Sequence, residues 1–276
     1  MPLPLPKKSL GQNFLIHEPT VQKIAGLVCQ GSPETVIELG AGTGLLTQAL
    51  AKLCKRVVAL EIDERLIRWH QANRVLPKNV ELRRADILKI DYQGLSKEIG
   101  GMLRIAGNLP YNISTQVVFA TCSQRQFIEE AHFLFQKEVA ERIISPPGRK
   151  SYGIISVVSQ YCADLKKELD IPPSMFKPSP KVYSSLVRFR FVQNREHVAL
   201  DYKFFVKTIK ASFSQRRKKI INCLCPFFKL ERQLAEKALE EAGINPDIRA
   251  ERLDVDHFVS LSNRLKTLID EQAPTA

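Results

Sequence analysis

Apolar positions recur along the first two thirds of the chain in two alternating rhythms. Val21, Ile24, Ala25 and Val28 fall at helical spacing behind Pro19, which suits a first helical turn, so the pattern predicts a helix over 18–30. A β-branched run predicts a strand over 35–39. Helix 45–54, strand 56–60, helix 63–73, strands 80–83 and 102–106, helix 114–123, and strands 132–135 and 185–191 follow. Strands separated by helical segments predict an α/β fold with a doubly wound, mostly parallel sheet. In such sheets ligands bind beyond the carboxyl ends of the strands. The rhythm changes at 192–200, and beyond it only helical periodicity remains: Phe204, Phe205, Ile209 and Phe213, then Ile220, Ile221 and Leu224, then Leu234, Ala238, Leu239 and Ala242, closed by Gly243. The expected organisation is an arm over 1–15, an α/β domain over 16–194, a small all-α domain over 200–266 and a frayed tail over 267–276.

Placed on this scaffold, the glycine loop 40–44 joins the first strand of the sheet to the next helix. Gly40, Gly42 and Gly44 let backbone approach a ligand closely at a helix amino terminus. Their spacing is GxGxG, where a dinucleotide fingerprint has GxGxxG. Glu61 ends the second strand, where a carboxylate can accept the hydroxyls of a ribose. Asp86 closes the next strand and can accept from the exocyclic amine of an adenine. Together these residues suit an adenosine moiety, which NAD and S-adenosylmethionine both contain, and the pocket residues do not choose between them. At 108–111 the strand over 102–106 runs into Asn108-Leu109-Pro110-Tyr111. This places a side-chain amide, a backbone carbonyl and a flat ring together, groups that suit a flat, amine-bearing substrate such as a nucleobase; Asn-x-Pro turns are also ordinary loop punctuation.

Composition narrows the field. With 276 residues, 44% of them hydrophobic, the chain can bury a large core and a smaller one. No apolar run reaches the roughly 18 residues a bilayer demands, and the start of the chain lacks the apolar stretch of a signal peptide, so a cytoplasmic protein is expected. The six cysteines show neither CxxC pairs nor a neighbouring histidine pattern, and no metal is expected. Net charge is +12, denser in 201–266 but not confined there. That balance points to a polyanionic partner such as a nucleic acid.

The loop Glu38-Leu-Gly-Ala-Gly-Thr-Gly44 together with Asn108-Leu-Pro-Tyr111 resembles the class I methyltransferases that modify adenine on its exocyclic amine. Resemblance then extends along nearly the whole chain. Ser9-Leu-Gly-Gln-Asn-Phe-Leu15, Tyr152-Gly153 with Ser156-Val157, Phe176-Lys-Pro-Ser-Pro-Lys-Val182, Phe213-Ser-Gln-Arg-Arg-Lys218 and Arg249-Ala-Glu251 are all similar to the KsgA family of ribosomal RNA small-subunit adenine dimethyltransferases. Two departures stand out: Tyr183, where relatives usually carry Asp, and Ile154, where a polar or basic residue is common.

The resemblance implies S-adenosylmethionine as cofactor, held by Asn13, Leu15, Gly40, Gly42, Glu61, Ile62, Asp86, Ile87 and Asn108. It implies a catalytic set of Asn108, Leu109, Pro110 and Tyr111, with Phe176 across the target base. Phe176 lies between prolines on a stiff loop, where packing into a core is not expected. The implied partner is the RNA of the immature small ribosomal subunit, met by Arg149, Lys150, Arg216, Arg217, Lys218, Lys219 and Arg249. Residues 216–219 are contiguous, so on a helix their charges fan around the axis. The protein is expected to be monomeric. Two other readings stay open: an Erm-type methyltransferase of large-subunit RNA, and a non-catalytic nucleic-acid factor like mitochondrial transcription factor B.

Overall fold

The computed structural model describes residues 2–272. In chain order its elements are β1 (Phe14–Leu15), α1 (Glu18–Val28), β2 (Thr35–Leu39), α2 (Leu45–Ala51), β3 (Arg56–Glu61), α3 (Glu64–Asn73), β4 (Val80–Arg84), α4 (Tyr92–Ile99), β5 (Leu103–Asn108), α5 (Ser114–Ser123), β6 (Ile128–Gln136), α6 (Lys137–Ile143), α7 (Ile154–Cys162), β7 (Ala163–Ile171), β8 (Phe176–Lys177), β9 (Ser184–Phe191), α8 (Tyr202–Ser212), α9 (Ile221–Phe228), α10 (Arg232–Glu241) and α11 (Val255–Gln272).

Seven strands form one sheet in the order β4-β3-β2-β5-β6-β9-β7, parallel from β4 to β6 and antiparallel through β9 and β7. The doubly wound, mostly parallel architecture is therefore present. The strand order reverses between β2 and β5, and a crevice opens beyond their carboxyl ends at such a switch point. β2 and β3 are buried along almost their whole length, as parallel strands covered on both faces must be. The core on one face is built by Val21, Ile24 and Val28 of α1 with Leu46 and Leu50 of α2 over Val36, Val57 and Ala106.

Local chemistry sets the boundaries. Asp63 caps α3, its carboxylate accepting from Arg65 N at 3.1 Å, and Asp91 caps α4 by accepting from Gly94 N at 3.0 Å. β7, absent from the sequence reading, is an edge strand whose Lys166, Lys167, Glu168 and Asp170 replace apolar alternation with charge.

The chain divides into two compact units. One comprises the chain up to Ala140 with Cys162–Gln193, the other Glu141–Tyr161 with the chain from Asn194 onward. Sequence reading expected a single break near 192–200; instead residues 141–161 belong to the second unit. Their apolar run at α7 (IISVVSQYC) carries no compositional mark of a boundary. In the second unit Tyr161 packs on Phe205 with ring centroids 4.4 Å apart, and Tyr152 on Phe213 at 6.2 Å. The tail expected to fray from 267 is helical through Gln272, since Leu265 and Leu268 of α11 are buried; 273–276 lie outside the described residues.

Candidate active site

A cavity of about 300 Å³ opens at the switch point. It gathers Asn13, Leu15, Gly40, Gly42, Glu61, Ile62, Asp86, Ile87, Asn108, Leu109, Pro110 and Tyr111, twelve of the thirteen expected cofactor and catalytic positions. Phe176 is the exception. It does not line the cavity, is 3% exposed and packs in the core, because β8 pairs antiparallel with β1 and sets Phe176 opposite Leu15. The expectation that flanking prolines hold this ring out of the core is corrected by that pairing.

The glycine loop shows why the spacing differs from a dinucleotide fingerprint. Gly40 N and Ala41 N donate to Leu60 O at 2.9 and 3.0 Å, Gly42 N donates to Glu61 Oε2 at 2.9 Å, and Gly44 N donates to Ala41 O at 2.8 Å. These four amides face protein acceptors and are not offered to a pyrophosphate. Gly44 has φ of 81°, and a Cβ there would come within 2.7 Å of the His70 ring. His70 in turn holds the loop through Nε2 and Gly42 O, 2.9 Å apart, and its burial pushes the imidazole below its ordinary range.

Glu61 is held as firmly. Its Oε1 accepts from Ile62 N and Asp63 N, both at 2.9 Å, and with Gly42 N on Oε2 three of its four acceptor places are filled. The remaining place suits one ribose hydroxyl, where two were expected. Asp86 Oδ1 accepts from Leu88 N at 3.0 Å. The arm closes the wall: Gln12 Nε2 donates to Asp63 Oδ2 at 3.1 Å, and Asn13 O accepts from Asn108 Nδ2 at 2.9 Å. That last bond turns Asn108 so that its Oδ1 remains as an acceptor. The Pro110 carbonyl accepts from Ile113 N at 3.2 Å, keeping one lone pair over. Tyr111 Oη lies 2.7 Å from Ser184 Oγ, and burial raises the phenol above its usual range. It stays protonated at neutral pH and is no base.

Sequence reading did not assign roles to Gln12, Glu38, Asp63 or His70. Glu38 and Gln12 line the cavity, and Glu38 stood in plain view within the glycine motif. Its Oε2 is buried and has no hydrogen-bond partner. Among the described lining residues there is no Lys, Arg or His, while Glu38, Glu61 and Asp86 all contribute carboxyls. In a protein of net charge +12 this cavity is locally acidic. An orphan carboxyl oxygen and an anionic lining fit a cationic adenosine cofactor and oppose an anionic one.

The basic residues lie in the second unit. Arg149, Lys150, Arg216, Arg217, Lys218, Lys219 and Arg249 are all exposed. Residues 213–220 form a turn between α8 and α9, so the picture of charges fanning around a helix is corrected: α8 ends at Ser212, capped by Phe213, before the basic run begins. Arg216 donates to Lys150 O and pairs with Glu251 at 3.8 Å, and Lys219 pairs with Asp247 at 2.8 Å. Arg217 and Lys218 make no ion pair among the described residues. Groups of histidine, cysteine and carboxylate able to hold a metal are absent among the described residues, and no helix of them is long and apolar enough to cross a membrane.

The comparisons with known proteins agree with this geometry. Residues 5–267 match the family model described as ribosomal RNA adenine dimethylase. A ribosomal RNA small subunit methyltransferase A from Desulfotalea psychrophila is 35% identical over 97% of this chain and 92% of its own length. One from Desulforapulum autotrophicum is 40% identical over 94% and 92%. Among solved structures, a dimethyladenosine transferase from Plasmodium falciparum superposes with a TM-score of 0.71 at 23% identity, covering 90% of this chain and 96% of that one. The 23S rRNA methyltransferase ErmE superposes with a TM-score of 0.67 at 25% identity, covering 92% and 100%. With the family model matching nearly its whole length and relatives 35–40% identical along it, the chain belongs to the ribosomal RNA adenine dimethylase family and is an rRNA adenine dimethyltransferase.

Proposed function

We propose that this protein transfers methyl groups from S-adenosylmethionine to the exocyclic amines of two adjacent adenines near the 3' end of small-subunit ribosomal RNA, acting as a cytoplasmic monomer on immature subunits. The observation that carries the reading is the glycine loop, with the amides of Gly40, Ala41, Gly42 and Gly44 turned inward, beside a cavity lined by carboxyls and, among the described residues, by no Lys, Arg or His. Such a lining disfavours an anionic pyrophosphate and suits a sulfonium.

When bound, the cofactor supplies an electrophilic methyl group; the remaining work belongs to the chain. Glu61 and Asp86 would hold the ribose and adenine of the cofactor. An adenine amine is a poor nucleophile because its lone pair is delocalised into the ring. Asn108 Oδ1 and the free lone pair of the Pro110 carbonyl would take the amine hydrogens, favour a localised lone pair and stabilise the positive charge that develops on nitrogen. Tyr111 offers its face to the base, fixed at its hydroxyl by Ser184. Stacking of this kind is worth roughly 1–3 kcal/mol per base. Phe176 completes the other side of the base only if the β1 and β8 pair gives way to admit it. In the second unit Arg217 and Lys218, together with Arg149, Lys150 and Arg249, would meet phosphates, while Arg216 and Lys219 brace the turn.

Labelled S-adenosylmethionine incubated with unmodified small subunits, beside large subunits, tests the assignment. Label is expected in small-subunit RNA alone. Label confined to large-subunit RNA moves the protein to the Erm class, and label in neither makes it a binding factor.

A further inference from the structure

Glu38 is the one acidic group in the cleft that the functional reading leaves without a task. Its position follows from the sheet: Glu38 of β2 lies in register with Ala59 of β3. Glu61, two residues on from Ala59, projects from the same face of β3. The two carboxyls therefore stand side by side at the floor of one cavity, yet their surroundings are opposite. Glu61 is saturated by three backbone amides. Glu38 is 1% exposed and its Oε2 has no partner. The Thr47 hydroxyl of α2 is the one donor beside it and acts against the rise in its pKa, by less than burial drives it.

The charged and titratable groups around Glu38 give it no cation. β3 contributes Glu61, the turn after β4 contributes Asp86, and β5 contributes the neutral Asn108; the arm adds Gln12 and Asn13. From α3 comes His70, which burial keeps uncharged and which is engaged with Gly42 O. An isolated carboxylate here has neither amide nor cation to replace water, and it neutralises by holding its proton. Burial, reinforced by the Glu61 charge, raises the Glu38 carboxyl to about 8.

We propose that Glu38 is a cofactor-binding residue that works by exchanging a proton for the ligand's positive charge: a neutral acid in the free protein, it releases its proton to solvent as a cationic centre of S-adenosylmethionine is seated, and regains one from solvent when the ligand leaves. The proposal rests on the cofactor assignment made above. No covalent bond changes, and each cycle of binding and release returns the proton it gave up. The consequence is a cofactor affinity that climbs with pH. The free-state pKa is the higher of the two, so tightening continues up to about pH 8 and stops there. It amounts to about tenfold per pH unit at most, the limit for one proton.

Calorimetric titration of the full chain with S-adenosylmethionine at pH 6.5, in two buffers of different ionisation enthalpy, tests this directly. That pH lies below the α-amino range of roughly 7.7–8.0, so the ligand keeps its own proton. Close to one proton released per cofactor bound is the expected result. Glu38→Gln, which mimics the neutral acid, should release none and show an affinity flat with pH near the low-pH value of the native chain. If the variant does not fold, the difference infrared spectrum of the native chain serves: the carbonyl stretch of a protonated carboxyl should vanish on binding. Binding with the same apparent enthalpy in both buffers, or proton release that persists in Glu38→Gln, overturns the proposal while leaving the cofactor assignment intact. Absence of any S-adenosylmethionine binding overturns the cofactor assignment itself, and the proposal with it. S-adenosylhomocysteine run in parallel locates the charge: release with both ligands names the ammonium, and release with the methylated form alone names the sulfonium.

Discussion

The cleft of the first unit and the basic turn of the second use polar side chains in opposite ways. In the cleft the polar groups assigned to binding are anchored to backbone: Glu61 by three amides, Asn108 by Asn13 O, and Asp86 by Leu88 N. In the turn Arg216 and Lys219 are tied down while Arg217 and Lys218 between them are left solvated. Chemistry on one nitrogen atom needs acceptors fixed in direction, which backbone contacts supply. Holding a flexible polyanion needs charge that can follow it, and a fixed geometry there brings no advantage.

The contrast is broken most severely at Asn108. Asn108→Ala removes the only side-chain acceptor assigned to the target amine and should lower methyl transfer by about 10²–10³-fold, the scale for losing one preorganised polar group. RNA retention on a filter should be unchanged; an active variant refutes the acceptor role. Next in size is the double variant Arg217→Ala with Lys218→Ala. It should weaken RNA binding and reduce the slope of log affinity against log salt by about 2, or somewhat less on single-stranded RNA, with transfer at saturating RNA preserved. An unchanged slope would show that these two charges do not meet phosphates.

The smallest effect concerns Asp63. Its carboxyl is held down at about 2, chiefly by the Arg65 guanidinium and also by Gln12, against an ordinary value of 3.8. Because the folded value is the lower, its stabilising contribution is complete above about pH 4 and fades as pH falls towards 2. Denaturant midpoints of Asp63→Asn and the native chain should differ at pH 7 and converge near pH 2. A gap that is constant with pH assigns the loss to packing alone.

What the sequence made legible follows the same division. β2, β3 and α5 stand where apolar periodicity places them, because their side chains are buried on both faces or along one stripe. β7 and α7 escaped, one masked by edge charges and the other by an apolar run that reads equally as strand or helix. Within the site, Glu61 and Asn108 were visible because they end strands, and Asp86 because it follows one closely. Gln12 and His70 were not, since their importance lies in contacts made across long stretches of chain. Phe176 was misjudged for a related reason: adjacent prolines describe the stiffness of a loop and say nothing of the strand it will find.

That strand partner has a consequence for the order in which the protein comes into being. β1 and β8 pair Phe14 with Lys177 and Leu15 with Phe176, so the arm that walls the pocket is docked by a segment roughly 160 residues downstream, a long-range closure of the kind that forms late. A chain emerging from the ribosome displays its glycine loop early, yet has no finished pocket until β8 has been synthesised. An enzyme of ribosomal RNA is thus kept from assembling its own cofactor site until well over half of its translation is done.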